Sequence, residues 1–198
     1  QLNEKPNWQK DLGEPAFSPD GRYLYYSQDT TPGTSFEYNK NSRTQIYQIF
    51  RRDLVEGKTR ALVSGPGGAI RPTPSPDGKW LAFVRRIDNA SALFLKDLTT
   101  GEERAVYREL ERDMQEAWAV YGVYPGIAWM PGSREMVFWA QGKLWRLDVL
   151  TKGAKAKEIP FHVAHTREVR SAVRFPVEVA PDRFDVHQLR WVNVSPKG

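Results

Sequence analysis

The chain contains no cysteine. That absence excludes disulfides, thiolate metal sites and cysteine nucleophiles together, and it fits a reducing or an oxidising compartment equally well. No apolar run reaches the roughly 18 residues needed to cross a bilayer, and residues 1–11 lack the charged-then-apolar order of an export signal. A concentrated basic stripe is missing too. The 29 Lys and Arg exceed the 24 Asp and Glu by little, for a formal net charge of +5. Pairs such as Arg51-Arg52 and Arg85-Arg86 are scattered and interrupted by acids. A nucleic-acid groove is therefore not expected. Gly65-Pro-Gly-Gly68 lacks the lysine and hydroxyl residue of a phosphate loop, and no Gly-x-Ser-x-Gly elbow occurs. No active site and no cofactor are expected within this segment. What remains is ordinary: 198 residues, 40% apolar, 12% aromatic and 27% charged, enough for a core of one-domain size.

The informative feature is repetition. Three stretches align without gaps: Phe17-Ser-Pro-Asp-Gly-Arg-Tyr-Leu-Tyr-Tyr26, Pro74-Ser-Pro-Asp-Gly-Lys-Trp-Leu-Ala-Phe83 and Trp129-Met-Pro-Gly-Ser-Arg-Glu-Met-Val-Phe138. A fourth opens at Val194-Ser-Pro-Lys-Gly198. Pro presets the first central turn position, Asp bonds back to the backbone, and Gly takes the left-handed conformation, so each copy reads as a tight hairpin. A second match follows each turn: Ile49-Phe-Arg-Arg-Asp-Leu54, Leu93-Phe-Leu-Lys-Asp-Leu98 and Leu144-Trp-Arg-Leu-Asp-Val149. After each comes a glycine turn, then a short strand near 60–63, 103–107 or 157–161. Four short strands per unit, A to D, is the pattern of a propeller blade.

Spacing sorts the connections. From the Asp closing strand C to the next turn glycine the distance is 4, 4 and 5 residues, and the A-to-B turn is as compact. The B-to-C stretch shrinks from 33 to 20 to 16 residues, while the D-to-A stretch grows from 19 to 30 to 43. In an up-and-down blade the tight turns share one end, so insertions decorate the other. Two readings of that decorated end stand: a binding face, or a cap over the barrel end.

The expected fold is all-β, a partial β-propeller of four-stranded antiparallel blades. The units run over 12–63, 69–107 and 126–165, followed by a long connection at 166–190 and the start of a fourth blade at 191–198. A ring closes with roughly 4 to 8 blades. The expectation is therefore a fragment or cleavage piece of a longer propeller, or half of a ring completed by another chain; the alternative is a self-sufficient three-bladed domain. Tyr23, Tyr25, Trp80, Phe83, Phe94, Phe138 and Trp145 fall inside B and C strands and are expected in the core.

Candidate binding residues sit on the connections: Arg112, Glu116, Trp118, Tyr121, Tyr124, His162, His165, Arg167 and Arg170. Arg104 to Trp118 has Val106, Leu110 and Met114 four apart, the spacing of a short helical insert. His162 and His165, three apart, would share one face of a helix but not of a strand, and the strand or loop reading makes them exposed loop histidines rather than metal ligands. Over 166–175, Arg167, Arg170 and Arg174 align at helical spacing, whereas Val173, Phe175, Val177 and Val179 alternate like a strand. The arginines form either a solvated face or an anion-binding one.

These Ser-Pro-Asp-Gly turns, each followed by a bulky apolar strand, resemble the TolB-type propeller repeat over most of residues 12–161 and the last six. A closer resemblance is to the propeller portion of large bacterial amidohydrolases. It rests on Asp11-Leu-Gly-Glu-Pro-Ala-Phe-Ser-Pro-Asp-Gly21, on Arg112-Asp-Met-Gln-Glu116 with Tyr124-Pro-Gly-Ile-Ala-Trp129, and on Phe175-Pro-Val-Glu-Val-Ala-Pro-Asp182 leading to Arg190-Trp191. Met130-Pro-Gly-Ser133, and Lys197 in place of Asp, depart from the turn motif. The resemblance implies a parent hydrolase of extracytoplasmic location. Its catalytic domain would lie outside these residues and hold zinc or another divalent metal through a His-x-His pair absent here. It also implies a noncatalytic role for this segment, packing on that domain or gating access to it. The alternatives are a TolB-like scaffold receiving a peptide or protein partner, and the propeller of a prolyl-oligopeptidase-type serine hydrolase.

Overall fold

The computed structural model describes residues 12–33, 44–112, 126–176, 182–183, 185, 188 and 190–197. The chain divides into two units, 1–161 and 162–198. Among the described residues the first unit is all strand and turn, with three four-stranded antiparallel sheets in simple meander order. The first sheet holds β1 (Leu12–Phe17), β2 (Tyr23–Asp29), β3 (Tyr47–Asp53) and β4 (Thr59–Val63). β5 (Ile70–Pro74), β6 (Trp80–Ile87), β7 (Ala90–Asp97) and β8 (Glu103–Tyr107) form the second. The third consists of β9 (Ile127–Trp129), β10 (Glu135–Ala140), β11 (Lys143–Asp148) and β12 (Lys157–Ile159). The first strand of the middle sheet, β5, packs against β1, β2, β3 and β9, so neighbouring sheets meet face to face as propeller blades do.

The middle sheet shows why its sequence reads as a continuous apolar run. Side chains alternate across a strand, so Leu81 and Phe83 of β6 enter a cluster with Tyr25, Ile49 and Val63 of the first sheet. Ala82 and Val84 enter another, with Met136, Phe138 and Leu147 of the third. Both faces are buried, and each fully buried large apolar side chain contributes about 1.5–3 kcal/mol. The aromatics expected in the core are there. Tyr25, Phe83 and Phe138 are buried, and Tyr23, Trp80, Phe94 and Trp145 pack against the clusters.

The tight turns share one end. Ser18 Oγ donates to Asp20 (2.5 Å) and accepts from the Tyr23 amide; Ser75 repeats this with Asp77 (2.6 Å) and the Trp80 amide. At the C-to-D turns, Asp53, Asp97 and Asp148 each accept two backbone amides just downstream. In each sheet a backbone bond joins the two turns: Leu54 to Arg22, Leu98 to Lys79 and Val149 to Arg134. The third A-to-B turn departs as its sequence does. Ser133 takes φ +54, where Gly21 and Gly78 stand in the other two, and its hydroxyl accepts the Asp77 amide from the neighbouring sheet (3.0 Å).

Two expectations are corrected. The helix at Arg104–Trp118 does not form over its described part: Glu103–Tyr107 is β8, paired with β7, and Arg112 bridges Ala90. Pairing to a formed sheet edge, with Leu110 inserted into the core, outweighs a weak helical period. The B-to-C stretches of the second and third sheets are not loop insertions either. Both sheets turn in two residues, 88–89 and 141–142, and the length difference lies in strands of eight residues against six.

In the second unit, residues 162–176 have no regular secondary structure and are exposed. The helical and strand patterns over 166–175 therefore both go unrealised across its described part. Trp191 carries φ +51, and Val194 N–H donates to the Asn193 side chain.

Candidate functional site

The inner strands carry an irregularity at matching places. Counting four residues back from Ser18, Ser75 and Met130 gives Glu14, Arg71 and Gly126. Glu14 and Arg71 both hold φ +57, a conformation non-glycine residues rarely adopt, and each precedes a proline. The register of β1 shifts between Gly13 and Ala16, and that of β5 between Ile70 and Thr73. These are β-bulges, which re-aim a side chain. Pro15 and Pro72, which have no amide hydrogen to give, sit inside the bulges, where none is needed.

The bulges bring the two charges together. Glu14 Oε2 accepts from the Ser27 hydroxyl (2.7 Å) and from the backbone amide of Arg71 (2.7 Å), so one carboxylate oxygen joins two sheets. The Arg71 Nε lies 3.3 Å from Glu14 Oε1, an ion pair whose two atoms are buried yet out of hydrogen-bond alignment. The Glu14 side chain is 12% exposed and that of Arg71 24%. Burial pushes the Glu14 carboxyl above its ordinary pKa, while the Ser27 hydroxyl, the Arg71 amide and the Arg71 charge pull it back. Among the described residues the Nη edge of Arg71 makes no hydrogen bond. Beside the pair is an open cavity of about 230 Å³ lined by Glu14, Pro15, Arg71, Pro72, Thr73, Gly126 and Ile127. Gly126 has no side chain to fill it, and a Cβ built there would meet nothing within 4 Å.

This cavity lies at the start of the inner strands, away from the tight turns and so toward the decorated end. The segments flanking that end are locked to the sheets. Gly67, at φ +83, accepts the Arg86 amide and donates to the Thr44 carbonyl, and a Cβ there would fall on the Arg86 carbonyl oxygen. Arg85 binds the carbonyls of Ser64 and Gly68 and pairs with Glu103 (2.7 Å). Downstream of β8, the chain is clamped by Gln141 of the β10–β11 turn, whose backbone amide donates to the Glu111 carboxylate (2.9 Å) and whose side-chain amide donates to the Glu109 carbonyl (3.0 Å).

Of the residues singled out from sequence, Arg112 is exposed at its bridge to Ala90. His162, His165, Arg167 and Arg170 are exposed in the second unit. Glu116, Trp118, Tyr121 and Tyr124 lie outside the described residues. Glu14 and Arg71 were not singled out. The signal for them was available: extending the aligned repeats upstream by four residues sets Glu14-Pro15 over Arg71-Pro72.

No protein-family model matches the chain, and no curated protein matches its sequence. Solved structures do match its fold. The chain is similar to TolB from Acinetobacter baumannii (TM-score 0.55, 21% identity), covering 77% of this chain and 33% of that one. It is similar to the β-propeller domain of the Trilobed protease from Pyrococcus furiosus (TM-score 0.50, 19% identity; 78% of this chain, 44% of that one). An acylaminoacyl peptidase from Pyrococcus horikoshii also matches (TM-score 0.50, 18% identity; 77% and 25%). The chain thus has a TolB-like propeller fold and spans less than half the length of each of these structures.

Proposed function

We propose that this chain is a noncatalytic β-propeller segment that binds polypeptide at the decorated end of its inner strands. The observation that supports this reading is the Glu14–Arg71 pair. Two charged residues are held on strained backbone at equivalent bulges, beside a cavity that Gly126 leaves open. Strain of this kind costs about 1–3 kcal/mol per residue and is retained where a side chain must be aimed. Further blades would continue the ring. Arg112 and the exposed His162, His165, Arg167 and Arg170 are further contact candidates on the connections.

The parent protein, in this proposal, is an extracytoplasmic hydrolase whose catalytic domain the propeller contacts or gates. The stretches resembling amidohydrolase propellers favour a metal-dependent C–N hydrolase, with any metal held by that domain. The likeness to peptidase propellers keeps the serine-hydrolase alternative, and the TolB likeness keeps that of a scaffold. The full 198-residue chain, incubated with a panel of peptides and cyclic amides and with zinc added, is expected to show no turnover. Robust hydrolysis that survives repurification would overturn the noncatalytic reading.

A further inference from the structure

The geometry at the inner strands narrows the ligand. A guanidinium offers five donors in a planar fork, with an Nε edge and an Nη edge. Glu14 occupies the Nε side of Arg71, and the Arg71 backbone amide is fixed on the same carboxylate. The side chain is thereby held from behind, so its outer donors are placed before any ligand arrives. Those outer donors have no hydrogen-bond partner among the described residues, and the side chain remains 24% exposed beside the cavity. The walls there are Pro15, Pro72, Thr73 and Ile127, and the Thr73 hydroxyl is turned to the Arg71 carbonyl (3.1 Å), so the guanidinium is the cationic donor facing the space. Arg71 and Glu14 are the cavity's charged side chains, and the Glu14 oxygens are turned to Ser27 and Arg71. The open group is thus a donor fork matched to a planar acceptor pair.

Building on the polypeptide-binding reading, we propose that the Arg71 fork receives a carboxylate of the bound peptide, seated in the space over Gly126. A C-terminal carboxylate and an Asp or Glu side chain present the same chemistry.

The test uses the full chain and three sets of randomised hexapeptides: free-acid peptides without Asp or Glu, their C-terminal amides, and amidated peptides containing one internal Glu. Binding is read by fluorescence anisotropy. Preference for the first set over the second by about tenfold or more, the loss of one charge-assisted pair, supports a terminal carboxylate. An equal gain in the third set supports a side-chain carboxylate. Arg71→Gln should remove the preference. Because that change also leaves Glu14 buried without its cation, Gly126→Leu provides an independent block: it fills the cavity, removes neither charge, and should abolish the preference with the thermal midpoint unchanged. If acid-free amides bind as well as the other sets, or if neither variant alters the preference, the carboxylate assignment falls while the polypeptide-binding reading stands. If no peptide in any set binds, both fall.

Discussion

The two ends of the sheets are built differently. At the turn end every unit repeats one local scheme, an Asp that accepts the amides just after it, and two of the three add a Ser that closes the hairpin before it. At the opposite end the backbone irregularity recurs in the first two sheets but the side chains it carries do not. Glu14, Arg71 and Gly126 occupy one position with three chemistries, and the connections are fastened by long-range contacts such as Gly67 to Arg86 and Glu111 to Gln141. The contrast separates an end that local turn chemistry holds constant from an end whose side chains change from sheet to sheet.

Five substitutions break or sharpen this contrast. The largest effect is expected at the irregular end. Gly67→Ala places a methyl on the Arg86 carbonyl at a backbone angle that disfavours any side chain, and should cost about 3 kcal/mol in urea denaturation. A loss under about 1 kcal/mol would mean the 64–69 connection is not fastened as described. Next comes the turn end. Ser75→Ala removes the acceptor for the Trp80 amide at a fully buried site, and should cost about 1–2 kcal/mol. Met130→Ala, at the equivalent turn without that hydroxyl, should cost less.

The smallest effect separates the ends by sign. Asp97 is held below its ordinary pKa by the Thr100 and Thr99 amides, so its contribution to stability is present above about pH 3.8 and is lost as the pH falls through its folded value. Glu14 is raised by burial, so the folded state holds its proton more tightly. Its favourable contribution is full below about pH 4.5 and is lost as the pH rises through the folded value. Stability measured against pH should therefore move in favour of Glu14→Gln over the parent as pH rises, and in favour of the parent over Asp97→Asn. Parallel curves for the two variants would remove the distinction.

What the sequence made legible follows the same division. Turn residues act on their own neighbours, and strand alternation is a two-residue period, so the hairpins, the B and C strands and Phe83 or Phe138 in the core can be read locally. Glu14 and Arg71 cannot, because their left-handed backbone is no preference of Glu or Arg; it is imposed by bulges whose bonds reach 57 residues away. The helical period at Arg104–Trp118 misled for a related reason. Leu110 is spaced like a helix residue, yet what fixes it is a pocket between β-sheets that no local window contains.

The third A-to-B turn lost the Ser and Asp of its siblings, and Ser133 spends its hydroxyl on the Asp77 amide next door. A copy that drifted from the repeat is thereby spliced to its neighbour, with Trp129 making a second splice to the Thr73 carbonyl. Peeling the third sheet away would strand polar groups of the second. Divergence of the repeat thus ties these two blades at their turn ends, and their unfolding is expected to be coupled, where identical, self-contained copies could unzip one at a time.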